Sequence, residues 1–226
     1  MSAAASIVVE EIPEQSITPR QRRKEARPSE LLAAALEVFA EKGYAATRLE
    51  EIAAHAGVSK GTIYLYFESK EALFKAAIEA AMTPAIEAVE AVVNDAGKPA
   101  ADLLREFVFG WWERVGKTSL GAVPKLLVAE SGNFPEVARW FHDTMILRAQ
   151  GAMARLIRLG IERGEFRPVE PMIAARIVFS PMFSIIVWRR AFGESMCDLP
   201  EPERFLAEAV NLLTHGLAAT PAKDPR

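Results

Sequence analysis

Between Ala56 and Leu73 the chain reads AGVSKGTIYLYFESKEAL, placing two glycines, two tyrosines and two lysines in a segment otherwise suited to helix. These side chains carry binding chemistry. Lysine ammonium, threonine hydroxyl and tyrosine hydroxyl all donate to phosphate oxygens. Gly61 costs a helix roughly 1 kcal/mol against alanine, and a close approach of backbone to a partner offsets that cost. Catalytic chemistry has little foothold. His55, His142 and His215 are far apart in sequence, and no two of them sit one helical turn apart. Cys197 has no histidine near it, and no Gly-rich phosphate loop, nucleophile elbow or dinucleotide fingerprint occurs. No cofactor or metal is expected, and an enzyme is not.

The elements that position this segment are helices. Helical spacing predicts a first helix over 28–42, with Leu32, Leu36 and Phe39 as its apolar stripe, Pro28 in its first turn and Gly43 as its stop. TRLE at 47–50 fits a capping box with Thr47 as N-cap, so a second helix is expected from there to Gly57. Ser59 caps a third helix reaching Phe67, and Ser69 caps a fourth. Two short helices joined by a glycine-containing turn form a helix-turn-helix, whose second helix enters the DNA major groove. Ile63 and Phe67 then share an inward stripe. Lys60 and Tyr64 share another face, which Gly61, Thr62 and Leu65 extend.

Bulk charge is uninformative at −3, but its distribution is uneven. The first sixteen residues carry −3, residues 18–75 hold ten Lys/Arg against eight Asp/Glu, and the remainder carries −2. Arg20, Arg22, Arg23, Lys24 and Arg27 crowd a basic arm before the first helix. Such an arm is either a solvated tail or a phosphate-binding element. One cysteine allows no internal disulfide, which suits the reducing cytoplasm. Residues 1–16 lack the layout of a secretory signal. The apolar run 173–188 is interrupted by Arg176 and Pro181, so no membrane span is expected.

The stretch GYAATRLEEIAAHAGVSKGTIYLYFESKEALFKA, Gly43 to Ala76, closely resembles the N-terminal domain of the tetracycline-repressor (TetR) family of bacterial transcriptional regulators. With LLAAALEVFAEKG before it, the likeness covers about a quarter of the chain. The resemblance implies an all-α fold of about nine helices, a homodimer, a palindromic operator in double-stranded DNA, and a C-terminal domain whose small-molecule effector loosens the DNA grip. It also implies that Thr47, Ser59, Lys60, Thr62, Tyr64, Tyr66 and Lys70 lie at or near DNA. The family often has a small or hydroxylated residue where this chain has Arg48, and a basic one where it has Glu50. Arg48 is therefore expected to make the phosphate contact that Glu50 cannot. The arm is expected to reach phosphates or a minor groove, as homeodomain arms do.

The expected layout is a flexible leader at 1–18, a DNA-binding domain at 19–75 including the arm, and a ligand-binding and dimerisation bundle at 76–226. Further helices are expected near 100–115, 121–131, 135–164, 171–191 and 201–216, separated by Pro, Gly or Asn. Phe107, Trp111, Trp112, Phe141, Met145, Met182 and Phe183 are the candidate effector-site residues, pointing to a hydrophobic or aromatic effector. Glu130 and Arg176 are charges in apolar surroundings, expected to be paired or solvent-facing, with contact to a polar group of the effector as the alternative. Ile177, Ile185, Trp188, Phe205 and Leu212 are the candidate dimer contacts, because the helix over 171–191 is apolar on more than one side. The expected function is a ligand-responsive repressor, with activation as the variant reading. The alternatives are a helical small-molecule-binding or sequestering protein without specific DNA recognition, and a helical enzyme using the bundle cavity.

Overall fold

The α1 helix, Pro19–Lys42, starts nine residues before the proline that was expected to open it. Pro28 has a first-turn preference, but the residues before it are Arg, Lys, Glu, Gln and Ala, all good helix formers. The basic arm is therefore helical backbone. This computed structural model describes residues 19–93, 95, 97–193 and 200–218, with side chains from Pro28 onward. The expected leader at 1–18 and the loop around Cys197 lie outside the described residues, as do the side chains of Arg20, Arg22, Arg23, Lys24 and Arg27.

Nine further helices follow: α2 Leu49–His55, α3 Lys60–Tyr66, α4 Lys70–Val93, α5 Ala100–Trp111, α6 Ala122–Glu130, α7 Pro135–Phe141, α8 Leu147–Glu162, α9 Pro171–Phe192 and α10 Pro202–Leu217. A π-helical turn at His142–Ile146 joins α7 to α8 in one rod, so the described residues form nine rods. A second π turn, Trp112–Gly116, extends α5. Among the described residues no strand forms beyond a single bridge between Phe166 and Ala218. The fold is all-α, with an N-terminal helix-turn-helix and a C-terminal helical bundle.

The α4 helix joins the two parts. It runs unbroken through residues 75 and 76, where the domain boundary was expected. Leu73, Phe74, Ala77 and Ile78 are buried near its start, where it packs on α1, and Ile86, Val89 and Val93 are buried further along, where it meets α5 and α8. Burying such side chains stabilises by roughly 1.5–3 kcal/mol each. Arg148 on α8 grips Glu90 on α4 with two parallel bonds, Nε to Oε1 at 3.1 Å and Nη2 to Oε2 at 2.8 Å. The Arg148 guanidinium holds the Glu90 carboxyl below the usual carboxylate range.

The α9 helix is 22 residues long, and Pro181 does not interrupt it. By length and composition it is apolar enough to cross a membrane, with a mean hydropathy of 1.6 over its most apolar window. Its inner side, with Ala175, Val178, Met182, Ile185 and Ile186, packs in the core against α8 and α6.

Candidate nucleic-acid interface

Gly43 ends α1 with φ +86°, a conformation L side chains rarely adopt. Its N–H donates to Phe39 O at 3.0 Å, and the chain turns into α2. The N-cap of α2 is Arg48, with extended backbone, one residue later than expected. The capping carboxylate is accordingly Glu51, whose Oε2 accepts from Arg48 N–H at 2.9 Å, and not Glu50. Thr47 is thereby turned inward. It is 2% exposed, and its hydroxyl donates to Gly43 O at 2.6 Å. The resemblance had implied a DNA contact there, but Thr47 holds the turn.

Gly57, at φ +65°, ends α2 and starts the turn into α3. Ser59 caps α3, accepting from Thr62 N–H at 3.2 Å, and its Oγ lies 2.9 Å from the Thr62 hydroxyl. Ile63 is buried and Phe67 half-buried, so the inward stripe lies as expected. The other side faces out: Tyr64 is 51% exposed, Leu65 77% and Tyr66 37%. A Cβ added at Gly61 would meet nothing closer than the Ser59 hydroxyl at 3.8 Å. Nothing inside the subunit requires glycine there, and the position is open for a close external approach.

Lys70 was expected beside the DNA, but it turns inward. Its ammonium donates to the carbonyls of Tyr44, Ala45 and Thr47 at 2.9, 3.2 and 3.1 Å, which uses all three of its donors. It also sits 4.7 Å from the Tyr44 ring centroid, a cation–π distance. Lys70 therefore buckles the start of α4 to the turn between α1 and α2. Tyr44 is buried against Phe39, Phe74 and Phe134, with ring centroids 5.7, 4.8 and 4.6 Å away. Burial first, then the charges of Glu71, Glu136 and Glu130, push its hydroxyl up to about 12.

Carboxylates answer two of the described cations near this face. Lys42 pairs with Glu51 at 2.7 Å, and Lys60 pairs with Glu50. Lys60 also lies 5.7 Å from the Tyr64 ring centroid. The hydrogen bond from Lys60 draws the Glu50 carboxyl below its ordinary range, and Glu50 raises the Lys60 ammonium in return. Arg48 is exposed and makes no ion pair among the described residues. Sequence reasoning missed the Lys60–Glu50 pair. Its members are ten positions apart on different helices, and only the packing of α2 on α3 brings them together.

The same turn is also held from the C-terminal bundle. Glu130, at the end of α6, accepts from Ala45 N–H at 3.0 Å. It makes no ion pair among the described residues; its partner is a backbone N–H 85 residues away.

In the bundle, Phe107, Trp111, Trp112, Phe141, Met145 and Met182 are buried within one continuous core. Phe107 packs edge-on to Phe179 at 5.5 Å. Phe183 does not belong with them: it is 46% exposed on the outer side of α9. A cleft of about 570 Å³ lies between the π turn after α5, the end of α9 and the start of α10, and of the expected effector residues only Trp112 lines it. Of the expected dimer contacts, Ile177, Trp188 and Leu212 are exposed and Phe205 is half-buried, but Ile185 is sealed in the subunit core. Ile173 and Phe192 are exposed on α9 as well.

Residues 31–77 match the family described as bacterial regulatory proteins, tetR family, and residues 102–215 match the AefR-like transcriptional repressor C-terminal domain. The HTH-type transcriptional regulator YerO of Bacillus subtilis is 30% identical over 192 residues, 83% of this chain and 64% of that protein, so this chain spans less than two thirds of YerO's length. YfiR of the same organism is 29% identical over 182 residues, 79% of this chain and 87% of the relative. The Bacillus subtilis regulator FadR, solved in complex with stearoyl-CoA, shares the fold with a TM-score of 0.71 at 21% identity, over 84% of this chain and 98% of FadR. Family matches over both the helix-turn-helix and the bundle agree with the geometry: this chain belongs to the TetR family of bacterial transcriptional regulators, and is a regulator rather than an enzyme.

Proposed function

We propose that this protein is a cytoplasmic, ligand-responsive repressor that binds a palindromic operator as a homodimer and is released by a small hydrophobic or aromatic effector. The observation that carries this reading is the outward face of α3, where Tyr64, Leu65 and Tyr66 stay exposed around an unobstructed Gly61. Ser59, Lys60, Gly61, Thr62, Tyr64, Leu65 and Tyr66 are the proposed DNA contacts, with Arg48 on the flanking phosphate. The arginines and lysine of 20–27 provide long-range attraction to the backbone. Thr47 and Lys70 are left out of this set, because each spends its donors inside the subunit.

Two copies related by a twofold axis would set two recognition helices about 34–36 Å apart, one turn of DNA. The apolar outer stripe of α9 is the proposed contact between them. An effector acts only by preferring one of two dimer shapes, so it must fit the bundle better when the helix spacing no longer matches the operator. The aromatic and methionine content around Phe107, Phe141, Met145 and Met182 supports an apolar effector.

Selection of bound duplexes from a random pool tests the reading. The expected product is an inverted repeat with one half-site per subunit. Tyr64→Ala should bind that duplex roughly 5- to 20-fold more weakly, the loss of one hydrogen bond and its stacking surface, with unchanged thermal stability. A pool that shows no preference over random duplex would favour the sequestering alternative and overturn this one.

A further inference from the structure

The Lys60 ammonium, the one cation on the exposed side of α3, is engaged before any DNA arrives. Glu50 reaches it from the first turn of α2. Both side chains are about half exposed, so the pair lies on the surface that the proposed function turns toward DNA. Lys42 is tied in the same way by Glu51. From Thr47 to Phe67 the chain carries Arg48 and Lys60 against Glu50 and Glu51, and is electroneutral. With Lys60 paired to Glu50, Arg48 is the cation of this stretch left to neutralise a phosphate, and the counterion-release attraction is correspondingly reduced.

Resting on the DNA-binding reading above, we infer that Glu50 is a positioning residue, which holds Lys60 back from phosphate and so weakens the grip on duplex and lowers its salt dependence on random sequence. On a random sequence the Lys60–Glu50 pair stays closed, and Lys60 neutralises no phosphate. On the operator, the base contacts made by Tyr64, Thr62 and Gly61 seat α3 deeply enough for a DNA acceptor to replace Glu50. The carboxylate thereby adds a cost to every duplex, and only the correct sequence offsets it.

Glu50→Gln tests this. The pair is exposed, and such pairs contribute about 0.2–1 kcal/mol, so the variant should fold normally. Binding of full-length wild-type and variant protein is measured on a random-sequence duplex and on the duplex recovered by selection, across a salt series. Freeing one ammonium should tighten random-duplex binding by up to about fivefold near 0.1 M salt and steepen the slope of log K against log salt by about 0.9. Operator binding should tighten by at least the same factor, because the cost of opening the pair is removed there too, while its salt slope stays unchanged, since Lys60 already neutralises a phosphate on the operator. In a Lys60→Met background, Glu50→Gln should shift random-duplex affinity by less than about twofold, because the effect passes through Lys60. Unchanged random-duplex affinity and slope in Glu50→Gln would overturn the inference while leaving the DNA-binding reading intact. So would a gain that persists in the Lys60→Met background. Absence of salt-dependent duplex binding by the wild-type protein would overturn the DNA-binding reading itself.

Discussion

Lysines 60 and 70 show how one residue type divides its work. Each follows a helix-capping serine, and each was expected at the DNA. Lys60 extends outward to a carboxylate, whereas Lys70 folds back on three carbonyls. Hydrogen bonds to a charged group contribute about 1.5–3 kcal/mol, so Lys70→Met should lower the unfolding free energy by about that much in a denaturant titration. The folded fraction should keep the wild-type salt slope for duplex binding. A slope shallower by one contact, with stability unchanged, would place Lys70 on a phosphate instead. The inward turn was not legible beforehand. Its acceptors are backbone groups, which carry no signature in residue type.

At the scale of elements, the junction of α5 with α10 depends on Lys117. Its ammonium lies 2.6 Å from Glu113 and 2.8 Å from Glu203, and the Trp112 indole N–H donates to Glu203 at 3.2 Å. Lys117 first, then the bond with Glu201 and then Trp112, hold the Glu203 carboxyl down to about 2. An unperturbed glutamate titrates near 4.5. The folded-state value is the lower of the two, so this contribution is fully present above the unfolded value and is lost as pH falls from about 4.5 toward 2. Glu203→Gln should therefore melt below wild type at neutral pH, and the gap between their melting temperatures should close across that window. A gap independent of pH would show that the ion pair does not act this way. Helix positions in this region agreed with apolar spacing and with Pro and Gly punctuation. The salt-bridge partners did not follow, since α5 and α10 are brought together only by packing.

For the whole molecule, Ile173, Ile177, Trp188 and Phe192 leave apolar surface exposed along α9, with Leu212 adding to it from α10. Large apolar side chains left exposed in this number make this part of the surface the proposed interaction site. Ile177→Asp would place an unpaired carboxylate in the proposed interface and should raise the dimer dissociation constant by about 100-fold or more, seen as a monomer by sedimentation. An unchanged oligomeric mass would exclude this face. The expectation that all of 177, 185 and 188 share the contact failed at Ile185 for a rotational reason. An apolar helix offers no contrast between its sides, and only its docking on α8 and α6 decides which side stays outside.

What the amino-acid order determined alone is the local part. Ser59 and Ser69 as caps, Gly43 and Gly57 as stops, and the four-residue spacing of Ile63 and Phe67 set where helices begin, end and face, because those effects act within one or two turns. The run from Gly43 to Ala76 carried the family for the same reason, being a continuous segment with most of its constraints inside it. The tertiary structure decided the rest: that Thr47 and Lys70 turn inward, that Glu50 engages Lys60, and that Glu130 reaches Ala45. Each of these joins groups on different elements, and their distances are set by how helices pack, which no spacing along the chain encodes.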